Sequence, residues 1–380
     1  MHIINLEYQP GSFRGGLELT NFDICRGLYR RGHSITLVYF KKGNLLRQYE
    51  EFCNNTIRIN GYGIYWDKPV SSMYNFFNDI RRIPISKDSV VYGTRCHNSL
   101  FGSMITWLRG APFVLHLRMP VSKTYGPQWA IGFKGVRRFI VVSNHIRLGW
   151  IKKGFEKEKI IVVHNGIDTN TFKPPRELSL VRKKWNIPEG TAVITYVGRL
   201  EEMKGIETLI KGFSLFLKNG VKVRLLIAGK HLASGEEYKM SLKRLTVNLG
   251  IEKYVDFLGH IANPAEVYQL SDVNVVPSIW QEPFSRVIIE SMSCGVPVIA
   301  SLTGGIPEAL TGEFQNFLFE PGNEQELADK LNYFIRWREN DPKLGKRCRE
   351  HIVRNFSQEK MIDGVERVLL TVTNRKRSAS

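Results

Sequence analysis

Short apolar segments alternate with amphipathic segments along the chain. In the first half the pattern predicts a helix at Leu17–Arg30 and leaves residues 41–88 unassigned. The predicted strands of this half are Ile3–Tyr8, Ile35–Phe40, Ser89–Tyr92, Phe113–Leu117 and Phe139–Ser143. Alternating strands and helices are typical of α/β proteins with parallel sheets.

The second half repeats this alternation. Its predicted strands are Ala192–Val197, Lys222–Ala228, Val255–Leu258, Val273–Val276 and Pro297–Ala300. Its predicted helices are Glu207–Lys218, Glu236–Leu249, Pro264–Leu270 and one that begins near Ser285. We therefore predict an α/β protein with two Rossmann-like domains.

A turn-rich stretch, Asn165-Gly-Ile-Asp168 followed by Lys173-Pro-Pro175, separates the halves and suits a linker. We predict an N-terminal domain at 1–165, a second domain at 166–360 and a closing segment at 361–380. A helix at about Gln358–Leu370 should precede a short basic tail.

Composition agrees with a folded protein, since 43% of the 380 residues are apolar and 24% are charged. No apolar run approaches the roughly 20 residues that cross a bilayer. The first residues lack the features of a signal peptide, so we expect a cytoplasmic protein. The five cysteines include no Cys-x-x-Cys pair and are expected to be reduced thiols.

The net charge of +18 is uneven, because residues 1–170 contain 24 Lys and Arg against 11 Asp and Glu, a balance of +13. Basic residues interleave with aromatic ones at 107–109, 133–139 and 147–153. Such patches are attracted to anionic membranes by about 1 kcal/mol per basic residue. We expect peripheral contact with the inner membrane face, the alternative being a solvated face that maintains solubility. No nucleic-acid-binding motif accompanies the charge, so nucleic acid is not a predicted partner.

The most informative motif reads Glu-Pro-Phe-Ser-Arg-Val-Ile-Ile-Glu, from Glu282 to Glu290. Glu282 lies in the loop after a strand, and Glu290 lies four residues after Arg286, on the same helix face. Helix N-termini attract anions, so a diphosphate is expected at the first amides of this helix. The residues concerned are Phe284, Ser285, Arg286 and Val287. A carboxylate on either side would bind a polyol, which is the layout of a nucleotide-sugar.

This block resembles the nucleotide-sugar signature of the retaining glycosyltransferases of family 4. The resemblance implies the GT-B fold, in which two Rossmann-like domains with parallel sheets face an interdomain cleft. It also implies that Glu282 contacts the hexose of the donor substrate and Glu290 contacts the ribose. The chain departs from the family at Ser285, where glycine is usual, and the Cβ of serine narrows the approach to phosphate.

Two cations follow the first strand of the second half, in Gly198-Arg199-Leu-Glu-Glu-Met-Lys204-Gly205. Arg199 can bind phosphate through two nitrogens and Lys204 adds a compact charge. The family has the same element, where it holds the donor phosphates. The chain contains no Asp-x-Asp, so we predict a metal-free site without a cofactor, in which these cations replace the ion.

Other site residues are implied by position in the family. The glycine pair Gly15 and Gly16 resembles the loop that faces the donor phosphate, and Ile261 and Asn263 lie where the family binds the nucleobase, which we expect to be uracil from family frequency. His116, at the end of a predicted strand, corresponds to a histidine near the reacting sugar, with His97 as the competing candidate. The implied catalytic residues are His116, Glu282, Arg199 and Lys204. The closing helix packs on the first domain in the family.

The resulting hypothesis is transfer of a hexosyl group from a nucleotide diphosphate-sugar, with UDP as the expected nucleotide, to a hydroxyl with retained configuration. The leaving phosphate would take the proton of the acceptor. The acceptor is expected to be a sugar or a lipid-linked molecule in cell-surface polysaccharide or glycolipid assembly. The alternatives are a sugar-nucleotide epimerase or a phosphorylase of the same fold, a non-catalytic nucleotide-sugar-binding protein, and a basic nucleic-acid binder.

Overall fold

The computed structural model describes residues 1–11, 16–120, 124–231 and 236–374. The chain divides into two compact units, one of Met1–Asn165 with the segment from Gln358 onward, and one of Gly166–Ser357. The return to the first unit thus begins at Gln358 rather than at 361. Over the described ranges, no helix has the length and apolar character that a membrane span requires. All five cysteines are free thiols.

The strands are β1 (His2–Glu7), β2 (Ser34–Tyr39), β3 (Asn55–Arg58), β4 (Ser89–Gly93), β5 (Phe113–Leu117), β6 (Val136–Val141), β7 (Ile160–Val162), β8 (Ala192–Val197), β9 (Val223–Ala228), β10 (Val255–Gly259), β11 (Val273–Val276), β12 (Val298–Ser301) and β13 (Leu318–Phe319). The helices are α1 (Gly16–Arg30), α2 (Leu46–Glu50), α3 (Pro69–Arg82), α4 (Ser99–Arg109), α5 (Pro127–Lys134), α6 (Asn144–Lys152), α7 (Leu178–Lys184), α8 (Ile206–Leu217), α9 (Glu236–Asn248), α10 (Pro264–Leu270), α11 (Arg286–Ser293), α12 (Glu324–Phe334), α13 (Trp337–Asn340), α14 (Leu344–Asn355) and α15 (Gln358–Asn374).

The first unit contains a parallel sheet in the order β3-β2-β1-β4-β5-β6-β7. Its central strands are buried on both faces, as expected when helices cover both sides. Helices α1 and α15 pack together over one face, where Leu28 of α1 and Val365 of α15 belong to the same buried cluster as Ile3 of β1. The C-terminal helix is therefore part of the core of this unit.

The second unit has the equivalent order, β10-β9-β8-β11-β12-β13, also parallel. Helix α8 buries a stripe at helical spacing that includes Ile206, Ile210 and Phe213. Gly212 lets α12 approach closely, because a Cβ there would lie 3.0 Å from the Leu327 side chain. In each sheet the strand order reverses once, between β1 and β4 and between β8 and β11. Doubly wound sheets bind ligands beyond the carboxyl ends of the strands at that reversal.

The alternation of strands and helices predicted from the sequence is observed in both units. The predicted bounds of β5, β8, β11 and α10 agree with the structure. The sixth strand begins at Val136 rather than at 139, because Val136 is buried and pairs with Phe113, although two arginines follow it. Residues 41–88, which were left unassigned, contain α2, β3 and α3.

Candidate functional site

The reversal point of the second sheet brings a cation and a carboxylate of the motif together. Lys204 follows β8 and Glu282 follows β11, and these two strands are neighbours. The Lys204 Nζ lies 2.7 Å from Glu282 Oε1, and both side chains are largely buried. Glu282 Oε1 also accepts a hydrogen bond from the Ser278 hydroxyl. The pair is thus fixed on both sides, and Ser278 is a contact that the sequence analysis did not identify.

The backbone of Glu282 is held by the Gly304-Gly305 pair. The N–H of Gly305 donates to the Glu282 carbonyl at 2.7 Å. Gly304 has a φ of +57°, and a Cβ there would lie 2.3 Å from the same carbonyl oxygen. Only glycine fits this position without displacing the loop, because both the left-handed backbone and the contact exclude a side chain.

Lys204 is positioned by its own loop. It ends a short 3₁₀ turn at Glu202–Lys204, and its Nζ lies 5.6 Å from the centroid of the Trp280 ring. The next residue, Gly205, has a φ of +65°, and a Cβ there would lie 2.0 Å from the carbonyl oxygen of Pro277. This close approach joins the loop after β8 to the end of β11, so the ammonium reaches Glu282.

Arg199, the other predicted cation, pairs with Glu201 at 2.7 Å and keeps a partly exposed guanidinium. The Tyr196 hydroxyl donates to its carbonyl at 2.6 Å. The structure therefore brings Lys204 onto Glu282 and Arg199 onto Glu201. Each cation of the predicted phosphate site is balanced by one carboxylate.

Helix α11 carries the second glutamate. Ser285 occupies its N-cap position with extended backbone, but its hydroxyl makes no capping hydrogen bond. The first N–H groups of a helix have no acceptor within the helix, so a helix start of this kind can bind an anion. Phe284, just before the helix, is buried and contacts Phe356, with 5.5 Å between ring centroids.

Both carboxylate oxygens of Glu290 are engaged. Arg286 Nε lies 3.1 Å from Oε1, which places these two residues on one helix face as the spacing predicted. The Tyr268 hydroxyl of α10 donates to Oε2 at 3.0 Å, and burial raises the pKa of Tyr268 well above its usual value. Glu290 is thus held in one orientation from two sides. The sequence did not predict this contact of Tyr268, because the tyrosine belongs to no motif and lies on a different helix from Glu290.

The predicted base-binding segment lies between β10 and α10. Ile261 is half-buried, whereas Asn263 is exposed and occupies the N-cap position of α10 without a side-chain capping bond. Helix α10 therefore connects this segment to Glu290 through Tyr268. The glycine pair of the first unit is only partly described, because Gly16 begins α1 and Gly15 lies outside the described residues.

In the first unit, His116 on β5 is fully buried. Its Nδ1 lies 2.7 Å from the Tyr92 hydroxyl and 3.4 Å from Arg118 Nη2, and Arg118 also donates to the Leu17 carbonyl at 2.6 Å. Because a guanidinium only donates, Nδ1 must accept, and the proton of the neutral ring is assigned to Nε2. Over the ranges that the structure describes, Nε2 has no hydrogen-bond partner.

The electrostatics keep His116 uncharged. Burial lowers the pKa of His116 well below its usual value, and the charge of Arg118 lowers it further. A neutral ring with its proton on Nε2 can donate a hydrogen bond to a ligand oxygen there. The competing candidate His97 is on the surface, edge-on to Trp129 at 4.6 Å between ring centroids.

A buried carboxylate at the end of β1 was not identified from the sequence. Glu7 accepts hydrogen bonds from Asn21 Nδ2 at 2.7 Å and from the Tyr8 N–H at 2.9 Å. Burial raises the pKa of Glu7 to about 7, and the nearby Arg95 opposes that rise. The sequence did contain a signal for it, because Glu7 ends the first strand of a doubly wound sheet, and that strand borders the reversal point where such sheets bind ligands.

Family models match both parts of the chain. The model described as "Glycosyl transferases group 1" matches residues 179–351, and the one described as "Glycosyltransferase Family 4" matches residues 14–171. The first match includes Arg199, Lys204, Glu282 and Glu290, and the second includes His116.

Among curated proteins, N-acetyl-alpha-D-glucosaminyl L-malate synthase of Bacillus anthracis is 29% identical over 213 residues, which are 56% of this chain and 54% of that protein. The uncharacterized glycosyltransferase MJ1607 of Methanocaldococcus jannaschii is 25% identical over 356 residues, 86% of each chain. The match thus spans about half of the Bacillus protein and most of the archaeal one.

Among solved structures, Anabaena Alr3699/HepE in complex with UDP superposes with a TM-score of 0.84 at 22% identity, covering 98% of this chain and 100% of that one. The same protein in complex with UDP-glucose gives a TM-score of 0.80 at 22% identity, with 98% and 100% coverage. At this identity the likeness shows a common fold.

Proposed function

Because the chain belongs to the family 4 glycosyltransferases with the GT-B fold, we propose that it transfers a hexosyl group from a UDP-sugar to an acceptor hydroxyl with retained configuration. The observation that carries this proposal is the buried pair of Lys204 and Glu282 at the reversal point of the second sheet. This is where a doubly wound sheet binds ligands, and it lies within the region matched by the group 1 model.

The donor substrate is proposed to bind along the second unit. Glu282 takes the hexose hydroxyls, α11 the diphosphate through the amides at Phe284, Ser285, Arg286 and Val287, and Glu290 the ribose. Both carboxylates are already oriented by neighbouring side chains, so little is lost in ordering them on binding. The complexes of Alr3699/HepE with UDP and UDP-glucose support uridine as the base.

Retention is proposed to follow from reaction on one face of the sugar, with the leaving diphosphate taking the proton of the acceptor. A double displacement would need a carboxylate that attacks the anomeric carbon. Glu282 suits that role poorly, because its Oε1 accepts from both Lys204 and Ser278, and these contacts reduce its nucleophilicity.

Charge that develops on the leaving diphosphate is proposed to be stabilised by Lys204 and Arg199 without a metal ion. The Lys204 ammonium, which pairs with one carboxylate, would be attracted more strongly to a bound diphosphate, because the diphosphate carries more negative charge. Preorganised cations of this kind act mostly in the transition state. His116 is proposed to donate from Nε2 to a sugar oxygen, because its low pKa and its assigned tautomer make it a poor base.

The acceptor is proposed to be a sugar or a lipid-linked hydroxyl in cell-surface polysaccharide or glycolipid assembly at the cytoplasmic face of a membrane. Residues 1–170 have a net charge of +13, out of +18 for the whole chain. This excess supports contact with an anionic membrane surface.

Incubation with labelled UDP-hexoses, with and without lipid and soluble acceptors, tests the function. We expect labelled hexose on an acceptor and release of UDP. Conversion of the sugar without any acceptor would indicate an epimerase instead. Absence of binding to any nucleotide-sugar would contradict the proposal.

The same assay tests the role of Lys204. Lys204→Ala should lower kcat by about 100-fold or more, the range for removing one charge-stabilising group from a site. Lys211→Ala is the matched control, because Lys211 also pairs with a glutamate, Glu324, at 2.9 Å, but on an exposed part of α8. Equal activity of the two variants would remove Lys204 from the site.

A further inference from the structure

Helix α3 turns an apolar stripe to the solvent. Val70, Met73, Tyr74 and Phe77 recur at i, i+3, i+4 and i+7, and all four are exposed, Val70 by 76% and Tyr74 by 71%. Trp66, three residues before the helix, is 81% exposed. The spacing places these side chains on one face, along the length of the helix.

The adjoining side of α3 already has its partners. Phe76 and Ile80 are buried, and Phe76 contacts Phe101 of α4 with 5.3 Å between ring centroids. Packing inside the unit therefore accounts for one side of the helix and leaves the stripe without a function in the fold. Single exposed apolar residues are ordinary, but a contiguous stripe marks an interaction surface.

The charges beside the stripe are mostly basic. Lys68 precedes the helix and Arg81 ends it in line with the stripe, both exposed, whereas Arg82 lies on the other side and pairs with Asp79 at 3.3 Å. The only acidic residue of the helix, Asp79, is buried on the other face, where it accepts from the Asn60 N–H at 2.7 Å. Asp67 is the one exposed acid next to these cations.

We propose that the stripe of α3 together with Trp66 docks on an anionic lipid bilayer, with the helix lying in the plane of the interface. Apolar and aromatic side chains on one face with cations at the ends are the features of helices that bind there. The proposal rests on the proposed function for the choice of a membrane, where a lipid-linked acceptor would be found.

Charge also favours a bilayer over a second copy of the chain. Pairing two stripes would bring Lys68 and Arg81 of both copies together, each within a half that carries +13. An anionic surface instead complements these cations.

The aromatic and basic segments noted in the sequence contribute less than α3. Phe133, Phe139 and Trp150 are buried in the first unit, so the segments at 133–139 and 147–153 present cations without those aromatic side chains. At 107–109, Trp107 is half-exposed, and Arg109 donates to the carbonyl of Ile80 at 3.0 Å, beside the end of α3.

Co-sedimentation of the full chain with vesicles of phosphatidylglycerol and phosphatidylcholine tests the surface. Wild type should bind the anionic vesicles, and Tyr74→Ser should weaken that binding by about tenfold, because the ring no longer enters the interface. Tyr333→Ser is the matched control, because Tyr333 is 75% exposed but lies on α12 of the other unit. Lys68→Gln and Arg81→Gln should each cost about fivefold, and added salt should weaken wild-type binding.

Equal vesicle binding by Tyr74→Ser and Tyr333→Ser would overturn the proposal, as would equal binding to pure phosphatidylcholine. Concentration-dependent dimerisation that Tyr74→Ser abolishes, without vesicle binding, would assign the stripe to a second copy instead. Calorimetric titration with UDP-sugar is recorded on the same variants. Intact UDP-sugar binding without vesicle binding refutes only the docking surface, whereas vesicle binding without UDP-sugar binding refutes only the proposed function.

Discussion

The proton on His116 decides what this side chain can do. Tyr92 and Arg118 both approach Nδ1, and burial with the charge of Arg118 keeps the pKa of the ring low. Such a histidine is a fixed hydrogen-bond donor rather than a proton acceptor. In the proposed mechanism His116 therefore binds the sugar, and the leaving phosphate accepts the proton.

We expect NMR of histidine labelled with ¹⁵N to show His116 with an unprotonated Nδ1 and a protonated Nε2 throughout the neutral pH range. The His116→Gln variant identifies the signal and should retain the fold, because the glutamine amide can replace one polar contact. A signal that titrates near the ordinary histidine pKa of about 6.5 would contradict the assignment.

Glu7 makes stability depend on pH. Its pKa is about 7 in the folded chain against an ordinary 4.5, so the folded state binds a proton that the unfolded state has released between these values. Stability of the fold should therefore fall as the pH rises from about 4.5 through 7, and the loss should remain above that range.

Glu7→Gln should remove this pH dependence. We expect its thermal midpoint to exceed that of wild type near pH 8 and to approach it near pH 5, as linkage requires. Glu50→Gln, at an exposed position of α2, is the control and should follow wild type at both values. A constant difference between Glu7→Gln and wild type across the range would contradict the raised pKa.

At this scale the sequence indicates candidate residues but not their partners. The motifs make Glu282, Glu290 and Lys204 candidates for the donor site. Ser278 and Tyr268, which orient the two carboxylates, come from other elements, and only the folded sheet brings them close.

At the scale of elements, two glycines allow neighbouring loops to pack closely at the reversal point of the second sheet. Gly205 and Gly304 both adopt positive φ and both touch backbone, of Pro277 and Glu282 respectively. The sequence shows a glycine pair at 304–305. It does not show that Gly304 faces a carbonyl oxygen, because this contact exists only when β11 and β12 are neighbours.

Gly304→Ala tests this packing. Its Cβ should push the Glu282 loop aside and weaken UDP-sugar binding by at least about tenfold, which corresponds to ~1.4 kcal/mol. Gly312→Ala is the matched control, because Gly312 has a similar φ of +64° but open space around it. Both variants bear the backbone strain, so equal UDP-sugar affinity would show that the contact with Glu282 is unimportant.

Elements with clear alternation were predicted closely, while α3 was not. Its apolar residues form one wide face, and the sequence does not show which part of that face is covered. The structure shows which part is buried against α4, and the exposed part then becomes informative.

At the scale of the whole molecule, one alternating pattern yields two sheets with equivalent strand order. Chain geometry explains why this was predictable, because parallel strands require crossover helices and the crossovers are right-handed. The return of the chain at Gln358 is less visible in the sequence. Helix α15 belongs to the first unit through its buried apolar residues, including Val365 and Leu369, and through ion pairs from Arg31 to Glu359, Asp363 and Glu366.

The identity of the acceptor lies beyond such reasoning, because the loops of the first unit follow no motif. The uneven charge and the stripe on α3 instead support the docking surface proposed for the first unit. The proposed donor site in the second unit and the proposed docking surface in the first are independent, so we expect that each can be lost without the other.

A crystal structure of the full chain with an intact UDP-hexose tests the proposed donor site. We expect the diphosphate at the start of α11 with Lys204 bound to it, hexose hydroxyls on Glu282 and ribose hydroxyls on Glu290. A nucleotide-sugar bound elsewhere, with the 2.7 Å contact between Lys204 and Glu282 intact and both glutamates away from the ligand, would contradict it.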